Sequence, residues 1–357
     1  MSMIAARLAS ALPSLRFTQV SKSLRQGFLG SPVLTSPTSS DLSISQSMGL
    51  FSQLRPLATY TNATTEVIDP PDGGKVKLAL CQLAVTEDRQ KNIQTARHAV
   101  REAAAAGAQL VMLPEIWNSP YSNDSFPTFA EDTSSGYAPS YSFMAEVAKE
   151  NKVVLVGGSI PEREGNNLYN TCFIFGKTGK LLGRHRKLHL FDIDIPGKIT
   201  FKESETLTKG DLPTVVDTEV GRIGVGICYD IRFPELAAVM ASRGAQMLLY
   251  PGAFNMTTGP AHWELLQRSR AVDNQLFVAM CSPARDESGS YVAWGHSTVV
   301  SPFGEVLATT EHHADIVYAE VDFSEVEVRR QNMPMRYQKR SDLYSLLDLT
   351  RDQTPKF

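Results

Sequence analysis

From residue 75 onward the chain alternates short apolar runs with stretches of helical spacing. Residues 75–83 are mostly apolar and open directly after Gly73-Gly74, which predicts a strand. Between 92 and 107, Ile93, Ala96, Val100, Ala103 and Ala104 recur on one helical face, and Gly107 suits a C-cap. Residues 109–113 predict a second strand, stopped by Pro114. The same order returns as a strand at 222–228, a helix at 234–243 closed by Gly244, and a strand at 247–250 stopped by Pro251. The recurrence suggests an internal two-layer duplication whose halves send strand ends toward a common region. Further apolar runs at 153–156, 172–175, 276–281, 297–300 and 316–321 predict strands, and 140–150 and 262–274 predict helices. Turns at 177–180 and 301–304 have hairpin chemistry. Strands alternating with helices, plus hairpins, predict an α/β protein with mixed sheets.

Composition narrows what such a protein does. With 35 Lys+Arg against 38 Asp+Glu, both signs interspersed, the chain offers no basic face for a phosphate backbone, so nucleic acid is not the expected partner. No run of about 18 uncharged apolar residues exists to span a membrane. The N-terminus departs from this balance. Residues 1–40 contain Arg7, Arg16, Lys22, Arg25 and nine Ser but no acid, the profile of a mitochondrial or chloroplast transit peptide; without targeting, the chain would be cytoplasmic. The expected organisation is therefore a transit peptide and linker at 1–70, one domain at 75–347 and a tail at 348–357. Residues 1–70 hold five basic and three acidic residues, so the whole-chain charge of -3 becomes 30 basic against 35 acidic, or -5, without them.

The four cysteines separate by context. They form no C-x-x-C pair and no clustered Cys/His spacing, which argues against a disulfide framework or a structural zinc site. Cys81, Cys172 and Cys281 fall in apolar strand runs and read as small buried hydrophobes. Cys228 ends a strand in Gly224-Val225-Gly226-Ile227-Cys228-Tyr229-Asp230, just before a helix whose free N–H groups favour a thiolate and any oxyanion formed there. Its base is either His189, in the basic run 184–189, or a strand-end carboxylate such as Glu115. Taken singly, Glu115 reads as a helix- or loop-capping acid and Lys187 as a solvated charge in a basic run.

Taken together, Leu113-Pro114-Glu115-Ile116-Trp117, His185-Arg186-Lys187-Leu188-His189 and Gly226-Ile227-Cys228-Tyr229-Asp230-Ile231-Arg232 resemble the Glu, Lys and Cys motifs of the nitrilase superfamily of carbon-nitrogen hydrolases. The resemblance covers residues 75–347 and is greatest to the omega-amidase branch, through 118–124, 191–198, 251–259 and 294–297. It implies a four-layer αββα sandwich with mixed sheets, assembled as a homodimer, and a chemistry that needs no metal and no organic cofactor. Glu115 would be the base, Cys228 the nucleophile and Lys187 the oxyanion cation, and His189 becomes structural. Glu203 would orient the base, lysine or leaving group, or would only neutralise Lys187. A lysine beside Cys228 is expected to lower its thiol pKa.

Omega-amidases cleave the terminal amide of short dicarboxylic monoamides such as 2-oxoglutaramate and 2-oxosuccinamate. Such a small-molecule amide substrate needs a cation for its far carboxylate. Arg232 is the candidate, unless Glu235 or Asp230 neutralises it; Tyr121, Phe254 and Thr258 match positions near that pocket. The alternatives are an N-carbamoyl amine or amino-acid hydrolase or a nitrilase on the same fold, or a catalytically silent scaffold.

Overall fold

The structure, a computed structural model, describes residues 74–353 apart from Gly136. The expected transit peptide and linker, and the last four residues of the expected tail, lie outside the described residues.

Among the described residues the first element is strand β1 (Lys75–Gln82), as the apolar run predicts. Helix α1 (Arg89–Ala105) opens three residues before the predicted start at 92. Asp88 caps it, its Oδ1 accepting from the Gln90 and Lys91 amides at 2.8 and 3.1 Å. Next come β2 (Leu110–Met112), α2 (Ser125–Phe129), α3 (Pro139–Asn151) and β3 (Val154–Val156). The run predicted at 172–175 is only the end of β5 (Asn167–Phe175). That strand follows β4 (Ile160–Glu164) and turns through the expected hairpin into β6 (Leu181–Arg186). Asn167, Asn170 and Thr171 interrupt its apolar pattern, which hides its first half. A small hairpin of β7 (Asp192–Ile195) and β8 (Ile199–Lys202) follows.

The second half runs through β9 (Thr214–Thr218), β10 (Gly221–Val225), α4 (Pro234–Ser242), β11 (Met247–Pro251), α5 (Gly259–Asn274) and β12 (Phe277–Cys281). The hairpin at 301–304 joins β13 (Thr298–Val300) to β14 (Val306–Thr309). Then β15 (Asp315–Asp322), α6 (Ser324–Asn332) and α7 (Met335–Gln338) complete the chain.

The recurrence is realised as two sheets with the same internal order. In one, β15 pairs antiparallel to β1, β1 to β2 and β2 to β3 are parallel, and β3 to β5 is antiparallel. In the other, β9, β10, β11, β12 and β13 repeat that sequence of antiparallel, parallel, parallel and antiparallel pairings. The parallel connections carry α1 and α3 on one sheet and α4 and α5 on the other.

Strand alternation builds the layers. Val76, Leu78, Leu80, Leu110 and Met112 turn inward into a core shared with the second sheet, which also takes in Leu236 and Met240 of α4 and Trp263 of α5. Ala79, Cys81, Val111 and Leu113 turn outward against Ile93, Ala96 and Val100 of α1 and Phe143, Met144 and Val147 of α3. Helices, sheet, sheet and helices thus stack as the expected αββα sandwich.

Candidate active site

The parallel strands of both sheets end on loops that carry polar residues into the interior. After β2, Pro114 stops the strand and Ile116 takes a left-handed φ of 48°. Its amide donates to Ser159 Oγ at 3.0 Å. The turn fits only because residue 158 is glycine, with φ of 62° and a would-be Cβ 2.2 Å from the Pro114 carbonyl oxygen. Glu115, held between these constraints, is fully buried.

Lys187 follows β6, and its amide extends the pairing by donating to the Asn170 carbonyl at 2.9 Å. Cys228 follows β10 at a tight turn with φ of 47°, a strained conformation for a side-chain-bearing residue. A 3₁₀ turn over Cys228–Arg232 leads to Pro234, the first residue of α4. Asp230 braces this elbow, accepting from the Ile227 amide at 2.9 Å, with His185 Nε2 at 3.0 Å and His189 Nδ1 at 2.7 Å. Burial opposes its charge, but the two histidines and the amide override that and hold the carboxyl well below its ordinary range. His189 also stacks on Phe233.

Inside, Lys187 Nζ lies 2.9 Å from Glu115 Oε1 and 2.9 Å from Glu203 Oε1, all three side chains without solvent exposure. Glu115 is tied further by Asn170 Nδ2 at 2.9 Å and the Ala253 amide at 2.7 Å. Glu203 accepts from the Tyr121 hydroxyl at 2.5 Å and the Phe191 amide at 2.7 Å. Burial disfavours the lysine's charge, yet the two glutamates override it and keep Nζ protonated. Burial dominates at Glu115, raising its carboxyl above the ordinary value against the pull of Lys187.

Cys228 hydrogen-bonds Glu115, and its thiol is pushed well up, first by burial and then by the Glu115 charge. This corrects the expectation of a thiol lowered by lysine: Lys187 acts in that direction but is outweighed. A thiol held neutral beside a carboxylate can form a thiolate only as that carboxylate accepts its proton. Burial likewise raises Cys81, to about 12, and also raises Cys172 and Cys281, as inert core thiols require.

Arg232 lies apart from the acids. Among the described residues it has no carboxylate partner, and Asp230 is spent on the elbow instead. Its Nη1 lies 3.1 Å from His262 Nδ1, its guanidinium sits 4.7 Å over the Phe254 ring, and buried Nε has no hydrogen bond. Phe254 is itself buried edge-on against Trp263. Thr258, at the start of α5, turns its hydroxyl to Asn255 Oδ1 at 3.1 Å. The structure therefore gathers Glu115, Lys187, Glu203, Tyr121 and Cys228 into one cluster, and sets Arg232 with Phe254.

Sequence reasoning missed Asn170 and Tyr291. Asn170 is a buried amide inside an apolar strand, where no local pattern marks it as serving the cluster. Tyr291 stacks on Tyr121 with ring centroids 4.5 Å apart and donates to the Ala253 carbonyl at 2.6 Å, but its Ser/Gly-rich loop has no readable pattern. A cavity of about 390 Å³ opens beside the cluster, with Glu115, Tyr121, Ala253, Tyr291, Glu87 and Asp286 in its lining.

Residues 77–331 match the family model for carbon-nitrogen hydrolases. The chain is 59% identical over 319 residues to the chloroplastic omega-amidase of Arabidopsis thaliana, covering 89% of this chain and 86% of that protein. It is 57% identical over 270 residues to omega-amidase NIT2 of Bos taurus, covering 76% and 97% respectively. Among solved structures it resembles Nit3 of Saccharomyces cerevisiae, a member of branch 10 of the nitrilase superfamily. That match has a TM-score of 0.69 and 45% identity, over 75% of this chain and 97% of that one.

Proposed function

This chain belongs to the carbon-nitrogen hydrolase family, in the omega-amidase branch of the nitrilase superfamily, and from that premise we propose how it works: as an omega-amidase using a Cys228 thioester. Its substrates are short dicarboxylic monoamides, 2-oxoglutaramate and 2-oxosuccinamate. The observation that carries the mechanism is the buried contact of Lys187 with two glutamates, one of which hydrogen-bonds Cys228.

Glu115 takes the thiol proton as sulfur attacks the amide carbon. Lys187 and the amide of Tyr229 face the oxygen that becomes negative. The tetrahedral adduct collapses, the proton on Glu115 passes to the leaving nitrogen, and ammonia departs, leaving an acyl thioester. Water then gives a proton to Glu115 and attacks the thioester carbon. Collapse releases the 2-oxo dicarboxylate, and the sulfur regains its proton from Glu115. Glu203 positions Lys187 and Tyr121 throughout, and Asn170 and the Ala253 amide hold Glu115 in place.

Arg232 supports the substrate class. A half-buried guanidinium with no acidic partner among the described residues suits the distal carboxylate, which it can grip with two parallel hydrogen bonds. Phe254 packs beneath it, and Tyr121 and Thr258 complete the proposed substrate contacts. Ammonia release from 2-oxoglutaramate, measured against an N-carbamoyl amino acid and a nitrile, tests the assignment. The amide should be preferred strongly, and preference for either of the others would reassign the substrate. In Arg232→Ala, KM for 2-oxoglutaramate should rise at least about tenfold, with little change for a neutral short amide.

The working assembly is a homodimer. Leu343, Tyr344, Leu346, Leu347 and Leu349 are exposed near the C-terminus, an apolar surface suited to cover by a second copy. Residues 1–70 act as a transit peptide, and a chloroplast destination accords with the Arabidopsis relative's name. The 319-residue match to that protein is longer than the chain from Lys75 onward, so it reaches into the preceding segment.

A further inference from the structure

Three metal-ligating side chains outside the hydrolytic cluster meet beside the β13–β14 hairpin. His296 lies just before β13, and Glu311 and His312 lie just after β14. One ligand atom from each falls within 4.8 Å of the others. Two imidazoles and a carboxylate form a donor set suited to zinc-class ions. Ligand bonds of about 2.0–2.2 Å require closer spacing, and the exposed Glu311 side chain is free to supply it by rotating.

The backbones carrying these ligands are fixed together. Gln82, 1% exposed at the end of β1, grips both loops with one amide group. Its Oε1 accepts from the Ser297 amide at 3.0 Å, while its Nε2 donates to the carbonyls of Glu311 at 2.8 Å and His313 at 2.6 Å. The His296 amide donates to the same Glu311 carbonyl at 3.0 Å. A Cβ at Gly295 would lie 2.7 Å from His312 Cα, so the loops touch in a way only glycine allows. The Thr310 carbonyl hydrogen-bonds the His296 ring, the arrangement that orients a ligating imidazole.

Charge around the cluster is mixed. Glu311 favours a cation and Arg285 opposes one, but the Arg285 guanidinium is engaged with the Trp294 carbonyl at 2.9 Å and lies over the Trp294 ring.

We infer that His296, Glu311 and His312 form a binding site for a divalent transition metal of the zinc class, with solvent completing the coordination. The site bears on the cavity, because the His312 carbonyl accepts from the Arg285 amide at 2.8 Å. Arg285 belongs to the segment that carries Asp286 and Tyr291, so an occupied site would brace the cavity wall.

Isothermal titration of Zn²⁺ into the full chain tests this, using a Cys228→Ser background so that the active-site thiol does not take the metal. One saturable site per chain is expected. His312→Ala and the surface change Glu311→Gln should each weaken binding by about tenfold or more, with unchanged circular dichroism. Absence of saturable Zn²⁺ binding, affinity in either variant equal to that of the Cys228→Ser parent, or Mg²⁺ bound as tightly as Zn²⁺ would overturn the inference.

Discussion

The central residue is a cysteine whose thiol is made less acidic than usual. Burial and a neighbouring carboxylate outweigh the lysine at Cys228, so in the proposed mechanism its attack depends on Glu115 being ionised when substrate arrives. Glu115 has a raised pKa, and the proposed mechanism requires its deprotonated form, so kcat/KM should fall as pH drops through that raised value. The acid limb should therefore lie above the ordinary glutamate value of about 4.3. A profile for 2-oxoglutaramate with its limb at or below that value would contradict burial as the dominant influence. Lys187→Ala should lower kcat by about 10²–10³, the usual cost of losing an oxyanion donor, and nearly full turnover would remove Lys187 from that role. The motif residues were legible because three short segments resemble known motifs jointly. Asn170 was not, because nothing in an apolar strand distinguishes a buried amide serving a distant carboxylate from one bonded within its own sheet.

Elements place these residues through the two sheets' parallel strands, whose ends lead to Glu115 and Cys228. The Cys228 elbow joins a strand to a helix through one 3₁₀ turn, and Asp230 holds it together. Asp230→Ala leaves the Ile227 amide and the facing atoms of His185 and His189 without their partner. It should cost about 3–5 kcal/mol in chemical denaturation. A loss well under 1 kcal/mol would show that the turn holds without this brace. Apolar periodicity exposed both strand–helix–strand units, since their strands are buried on both faces and uninterrupted. It missed β4, β6, β7, β8, β9 and β14, whose polar residues make ion pairs or meet solvent. The buried Glu162, for instance, pairs from β4 with Arg184 and Arg186 of β6. Such cross-strand charge satisfaction depends on pairing, and no local pattern announces it.

At the scale of the whole molecule, the repeated pairing order of the sheets buries the charged cluster within the sandwich. The sequence places residues 1–70 ahead of the segment that matches the hydrolase family, residues 77–331. Removing residues 1–70 should leave kcat/KM within about twofold, whereas a tenfold loss would assign that segment a role in the site. A fluorescent fusion of residues 1–70 should enter an organelle, and a cytosolic signal would refute targeting. The central claim, that this chain opens terminal amides through sulfur, is tested most directly by rapid acid quenching during turnover of 2-oxoglutaramate followed by peptide mass spectrometry. A 2-oxoglutaryl thioester should appear on the peptide containing Cys228 and be absent from Cys228→Ala, which should release no ammonia. Full ammonia release by Cys228→Ala, with no acyl adduct on the wild-type peptide, would contradict the account.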